Sequence, residues 1–160
     1  MGGVRRAIEI EAPQQVVWSS LTDLRAWEKF APYMKSFQAL DQGALRLGSR
    51  VKVTPKGLPG SVWKVTEIEE PRSFTWETSA APGLRLVAGH EANPRTSGTE
   101  AVLWLDWKGL LGAALSPLLR IVFRRNIRLA SQGLKLYCEQ SALPTEDLVA
   151  PVQPHETERA

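Results

Sequence analysis

The sequence predicts an α+β domain in which a curved antiparallel sheet of seven strands wraps around one long C-terminal helix, with two short helices after the first strand. Three observations carry this prediction. One period-two segment, two short helical segments and six further strand-like segments precede a long amphipathic stretch from about Lys108 to Gln140. Short turn-forming links separate the strand-like segments, as in an antiparallel meander. All six Trp precede the long helix, and Trp63, Trp76, Trp104 and Trp107 fall in strand segments. A sheet curved around a helix leaves space between its layers, so an aromatic-lined pocket is the first expectation.

Val4 to Glu11 places Ile8 and Ile10 on one face and Glu9 and Glu11 on the other, the alternation of a half-buried strand. Pro13 suits the first turn of a helix, where its missing N–H has no partner to lose, and Val16, Val17 and Leu21 supply the apolar turns. Asp23 caps a second short helix that carries Trp27 and Phe30 and is broken at Pro32. Strands follow at about Lys35–Leu40, Ser49–Thr54, Ser61–Glu69, Ser73–Ser79, Leu84–Ala92 and Thr99–Trp107. Gly, Pro, Asp and Asn punctuate them at 41–43, 55–60, 70–71, 81–83 and 93–98. Alternate loops of a meander emerge at the same end, which groups 55–60, 80–83 and 108–112 into an apolar rim and expected pocket mouth. On the last helix, the 3.6-residue period directs Leu115, Leu119, Val122, Asn126, Leu129, Ala130, Gly133 and Tyr137 toward the sheet. Gly133 in that stripe has two readings, close packing or room for a ligand.

At 160 residues the chain fits one domain, expected over 1–141, with a disordered acidic tail over 142–160. The tail has net charge −3, which leaves +6 on the domain. Cys138 is the only cysteine, which excludes an intrachain disulfide and a paired-cysteine metal site. No signal-peptide pattern opens the chain, and Gly109 to Phe123 is interrupted by Ser116, Pro117 and Arg120, so a cytoplasmic location is expected.

Strand parity gives an inward set. Trp63 and Val65 oppose Lys64, Phe74 and Trp76 oppose Glu77, and Leu86, Ala88, His90 and Ala92 oppose Arg85 and Glu91. Ala101, Leu103, Leu105 and Trp107 oppose Glu100 and Asp106, with Trp104 outward. Apolar alternation alone fits a filled aromatic core as well as a cavity. His90 is the only histidine of the domain and sits on an otherwise apolar face. It reads either as a structurally satisfied imidazole or as a group that orients a ligand or moves a proton. Cys138 lies near a helix C-terminus, which disfavours a thiolate, and neither a nucleophile elbow nor a phosphate-binding glycine loop is present.

Several local patterns resemble one family. They are Ile8-Glu-Ile-Glu-Ala-Pro13 followed by Val17-Trp18, Leu24-Arg-Ala-Trp27 leading to Pro32, and Leu47-Gly-Ser-Arg50. Val62-Trp-Lys-Val65 with Glu70-Pro71, Phe74-Thr-Trp-Glu77, Gly89-His90 and the Gly98-Thr99 turn complete the set. Over about residues 4 to 140 the chain resembles the START-like superfamily, also called SRPBCC, and within it the polyketide cyclase/dehydrase and lipid transport group. The resemblance implies a helix-grip fold with a hydrophobic cavity between sheet and C-terminal helix, and functions from lipid carriage to aromatase/cyclase chemistry.

The ligand-facing residues expected from parity and resemblance together come from every layer. The short helices and the segment after them give Trp27, Phe30 and Tyr33, and the strands give Trp63, Val65, Trp76, Leu86, His90, Leu103, Leu105 and Trp107. Phe123, Asn126 and Ala130 come from the long helix. His90, Asn126 and Tyr33 are the polar members. The leading expectation is binding or transport of a hydrophobic or lipid-like small molecule, with no metal and no cofactor. The alternative is a cyclase, aromatase or dehydratase with His90 as acid/base. A third reading is a module that meets a partner or an anionic membrane through Arg120, Arg124 and Arg128, spaced i, i+4, i+8. Nucleic acid is not expected, because that stripe has no interleaved aromatics.

Overall fold

The computed structural model describes residues 2–142. The acidic tail expected over 142–160 lies, from residue 143 on, outside the described residues. In chain order the elements are β1 (Gly2–Ile10), α1 (Gln14–Thr22), α2 (Leu24–Phe30), β2 (Met34–Ala39), β3 (Arg50–Pro55), β4 (Ser61–Glu69), β5 (Ser73–Ala81), β6 (Leu84–Arg95), β7 (Gly98–Lys108), α3 (Leu110–Ala114) and α4 (Ser116–Ser141).

The seven strands form one antiparallel sheet in the order β1-β7-β6-β5-β4-β3-β2. β2 to β7 run as a meander, and the last strand returns to pair with the first, from Gly2 opposite Trp107 to Ile10 opposite Thr99. Because β1 and β2 end up at opposite edges, the α1–α2 connection crosses from one edge to the other. Asp23 caps α2 by accepting from the Arg25 N–H at 2.9 Å, as the sequence predicts. Register shifts in β2, β4 and β5 mark bulges, which bend a strand and increase its twist. The bulge between Val65 and Glu67 also changes parity, so Trp63, Val65 and Ile68 all reach the concave side.

Cross-strand rows set out that concave face. Phe74, His90, Leu103 and Arg6 lie side by side on β5, β6, β7 and β1. Trp76, Ala88, Leu105 and Val4 form the next row. On the convex face the Trp104 ring covers Gly89, its partner on β6, leaving no space for a Cβ there.

The predicted single helix from Lys108 to Gln140 is divided at Leu115 into α3 and α4. Pro117 is the physical reason. It has no N–H to donate to the Ala113 carbonyl, so it is tolerated only in the first turn of a new helix. The Trp107 indole N–H donates to Ser116 Oγ at 3.1 Å and ties the start of α4 to the sheet.

The expected helical stripe also requires correction. Val122, predicted to face the sheet, is 42% exposed. The α4 positions that are buried are Ala130, Ser131, Leu134 and Cys138, which face β1, α1 and α2. Gly133 is a point of close packing: an added Cβ would lie 2.7 Å from both Cβ and the carbonyl oxygen of Phe30. The Leu111 and Gly112 N–H groups donate to the Gly83 carbonyl, which joins two of the three expected rim segments.

Candidate functional site

Between the sheet and α4 lies a cavity of about 80 Å³. The sheet contributes Met34, Phe37, Val53, Trp63, Trp76, Ala88, His90, Leu103, Trp104 and Leu105, α2 and the segment after it contribute Trp27 and Tyr33, and α4 contributes Ile127 and Ala130. Among the expected residues, Trp27, Tyr33, Trp63, Trp76, His90, Leu103, Leu105 and Ala130 therefore share this wall.

The remaining expected residues are placed elsewhere. Phe30 packs under Gly133 and against Tyr137, and Val65 and Leu86 are buried in the sheet without lining the cavity. Trp107 is fully buried at the start of α4 with Phe123 beside it at 5.8 Å. Asn126 is half-buried and does not line the cavity. The expected set lacks Met34, Phe37, Val53 and Ile127, as well as Ala88, which parity places on the inward face only, and Trp104, which parity places outward. Val53 had a usable signal, the alternation of Val51 and Val53 with Lys52. Phe37 and Met34 had a weaker one, because β2 carries a bulge between Met34 and Ser36.

The aromatics set the character of this space. His90 stacks on Phe74 with centroids 4.6 Å apart and planes at 22°. The Trp27 ring meets His90 edge-on at 5.0 Å, and Trp76 does so at 5.7 Å. Trp63 packs on Trp76 at 5.5 Å. Trp27 is itself held by its indole N–H, which donates to the Leu21 carbonyl at 2.7 Å. The wall is thus a set of mutually packed rings, with the Trp27 N–H already satisfied by the backbone.

His90 is the exception. Its Nδ1 is buried and has no hydrogen-bond partner among the described residues. Burial strips water from the imidazole and pulls its pKa down from 6.5 to about 3, so the ring is neutral at pH 7. A buried polar atom without a partner costs about 1–3 kcal/mol. Tyr33 lines the same cavity, and burial pushes its phenol well above the ordinary tyrosine range. A neutral imidazole and a neutral phenol in an aromatic enclosure can hydrogen-bond a polar group of a ligand, and a neutral imidazole can also accept a proton.

One further inward polar group went unnoticed in the sequence. Arg6 occupies the same row as His90 with Leu103 between them, and its Nε is buried without a partner among the described residues. The signal was the parity of Arg6 with Ile8 and Ile10. Burial pushes the Cys138 thiol up, which makes it a poor nucleophile. Among the described residues no cluster of His, Cys, Asp and Glu could hold a metal ion. A larger surface groove of about 410 Å³ lies between the α1–α2 junction and the β2–β3 loop. Among its charged residues Asp41 pairs with Arg50 at 3.1 Å and Asp23 accepts from the Arg25 N–H, and none of its lining residues carries a buried side-chain polar atom without a partner, as His90 does in the aromatic cavity.

The family model for polyketide cyclase/dehydrase and lipid transport matches residues 1–139. The chain belongs to that family. No curated protein matches the sequence. Among solved structures, protein TTHA0849 from Thermus thermophilus superposes with a TM-score of 0.72 at 16% identity, covering 89% of this chain and 100% of the other. The Zhui aromatase/cyclase from a Streptomyces species superposes with a TM-score of 0.69 at 17% identity, covering 87% of this chain and 94% of the other. One half of the di-domain aromatase/cyclase BexL is also similar, with a TM-score of 0.66 at 12% identity over 88% of this chain and 50% of the other. At these identities the likeness establishes the helix-grip architecture, while chemistry is argued from the site. Among the described residues no helix is long and apolar enough to cross a membrane.

Proposed function

We propose that this member of the family binds a hydrophobic or lipid-like small molecule between the sheet and α4, with His90 fixing a polar end of the ligand. The observation that carries the reading is His90 Nδ1, buried without a partner on a residue that lines a mainly apolar cavity. A ligand hydroxyl or other donor there would satisfy that atom, while Trp27, Trp63 and Trp76 would bury apolar ligand surface.

The cavity is small for this purpose. Pockets for drug-sized ligands span roughly 300–1,000 Å³, against about 80 Å³ here. Binding therefore requires the wall to open. The α4 side is the element suited to move, because the helix segment before Ala130 has no buried residue.

Native mass spectrometry of the purified protein, followed by denaturing extraction, tests the reading. A co-purified apolar compound whose affinity falls in His90→Phe is the expected result. Protein that is empty and also fails to bind an apolar fluorescent probe would identify the cavity as part of a filled core.

A second reading, an enzyme of the cyclase, aromatase or dehydratase type, rests on His90 and Tyr33 facing one cavity. Neutral His90 would accept a proton and Tyr33 would hydrogen-bond a substrate oxygen. An enzyme would lose turnover in His90→Phe while largely keeping its affinity; a carrier would lose affinity and have no turnover to lose.

A further inference from the structure

The segment from Lys108 to Cys138 carries six cations, Lys108, Arg120, Arg124, Arg125, Arg128 and Lys135, and no acid. Elsewhere the described arginines often find carboxylates, as in Arg50 with Asp41, Arg85 with Glu77 and Arg95 with Glu100. The four arginines of α4 form no ion pair among the described residues. The same surface exposes large apolar side chains: Leu110 is 89% exposed, Ile121 70% and Leu118 58%.

Helical geometry interleaves the two sets. Leu118, Ile121, Val122 and Arg125 follow i, i+3, i+4, i+7 and share the outer side of α4, and Arg120, Arg124 and Arg128 line the adjoining side. Leu110 extends the apolar strip onto α3, whose backbone is fixed to the Gly83 turn.

We propose that this α3–α4 face docks on an anionic lipid surface, with Leu110, Leu118, Ile121 and Val122 entering the acyl boundary and the four guanidinium groups meeting lipid phosphates. A helix with Leu and Ile on one side and Arg on the next fits the plane of a membrane interface, where the long Arg stems lie along apolar surface and their heads reach the phosphate layer. Other occupants fit less well. A second copy packed about a twofold axis would bring arginines against arginines with no acid to separate them. A nucleic acid would match the charge but leave the Leu and Ile side chains unused, and the face has no aromatic on which a base could stack. The docking stands on surface residues alone and does not require a ligand in the cavity.

Flotation of the full chain with vesicles of phosphatidylcholine, with and without phosphatidylglycerol, tests it. Binding to the phosphatidylglycerol vesicles, absent with phosphatidylcholine alone and weakened by salt, is expected. Arg124→Glu with Arg128→Glu is expected to lower partitioning about tenfold or more. Leu118→Ser with Ile121→Ser is expected to lower it to a similar degree, which charge attraction alone would not produce. Both variants alter exposed side chains, so circular dichroism melts should match the parent and separate lost docking from lost folding. Failure to float with anionic vesicles, or unchanged partitioning in the Leu118/Ile121 variant, overturns the proposal. A dimer in sedimentation velocity that Ile121→Ser dissociates would likewise overturn it in favour of a second copy. Because the docking face shares no residue with the cavity wall, a negative result here leaves the His90 reading standing.

Discussion

The two halves of α4 share one helix and differ in almost everything else. From Ala130 to Cys138 the helix is locked into the molecule: Leu134 is fully buried, Gly133 lies against Phe30, and the Lys135 ammonium donates to the Glu9 carbonyl at 2.8 Å. The Glu139 carboxylate completes the clamp by accepting from the Glu11 N–H at 3.1 Å. From Ser116 to Leu129 no residue is fully buried, and the attachments are the Trp107–Ser116 hydrogen bond, the Phe123 ring against Trp107, and the partly buried Leu119 and Ile127. The cavity sits where the halves meet, with Ile127 and Ala130 in its wall. A helix held at one end and lightly attached at the other allows a small cavity to widen without unfolding the domain.

Leu134→Ala should give the largest effect. Truncating a fully buried Leu costs about 2–5 kcal/mol, and this one is at the centre of the clamp. Urea unfolding followed by fluorescence measures it. A loss below that range would mean that the second half is no better anchored than the first. Gly133→Ala comes next. Ala favours a helix by about 1 kcal/mol over Gly, yet its Cβ would meet the Phe30 backbone, and overpacking of this kind costs about 1–3 kcal/mol. A stabilised variant would show that α2 and α4 separate easily.

Acidification examines the cavity between the halves. The folded pKa of His90 lies below the unfolded value, so the unfolded state binds more protons between pH 6.5 and about 3. The contribution from neutral His90 is present above pH 6.5 and is lost as pH falls through that window, by up to about 1.4 kcal/mol per pH unit. Urea unfolding at a series of pH values should show that slope in the parent and a shallower one in His90→Phe. Equal slopes would mean that His90 is hydrated in solution and the cavity is already open to water.

Much of this architecture was legible because strand alternation and turn chemistry are local signals. Phe74 and Trp76 alternate with Thr75 and Glu77, His90 shares parity opposite Arg85 and Glu91, and Leu103 shares parity opposite Glu100 and Asp106, so parity alone placed them on the concave side. The break at Leu115 was obscured by the apolar run across it, although Pro117 gave a backbone reason to expect one. The misplacement of Val122 has the same origin: a stripe drawn through one continuous helix assumes that sheet or helix covers its whole length, whereas the fully buried positions of α4 begin at Ala130, where Phe30 of α2 packs against Gly133 and Tyr137. The six expected site residues that miss the cavity are mainly core residues, since periodicity reports which face is buried and carries no information on where packing leaves a gap. Arg6 was hidden by its type. A cation flanked by Val4 and Ile8 on the inner face was passed over, although its parity matched theirs.

The smallest expected effect gives the finest measure of the difference between the halves. Ile121 is 70% exposed, so Ile121→Ala removes few packing contacts and should change stability by less than about 0.5 kcal/mol. Native-state amide exchange should show the same asymmetry without any substitution. Opening of Ser116–Leu129 exposes little buried apolar surface and should require less free energy than opening of Ala130–Cys138, which must release Leu134 and the β1 contacts. Uniform protection along α4, with a cost for Ile121→Ala close to that of Leu134→Ala, would mean that the first half is covered in solution by another surface. Protection of that half appearing only when anionic vesicles are added would instead assign the cover to lipid, and would connect docking of the helix to control of the cavity wall it carries.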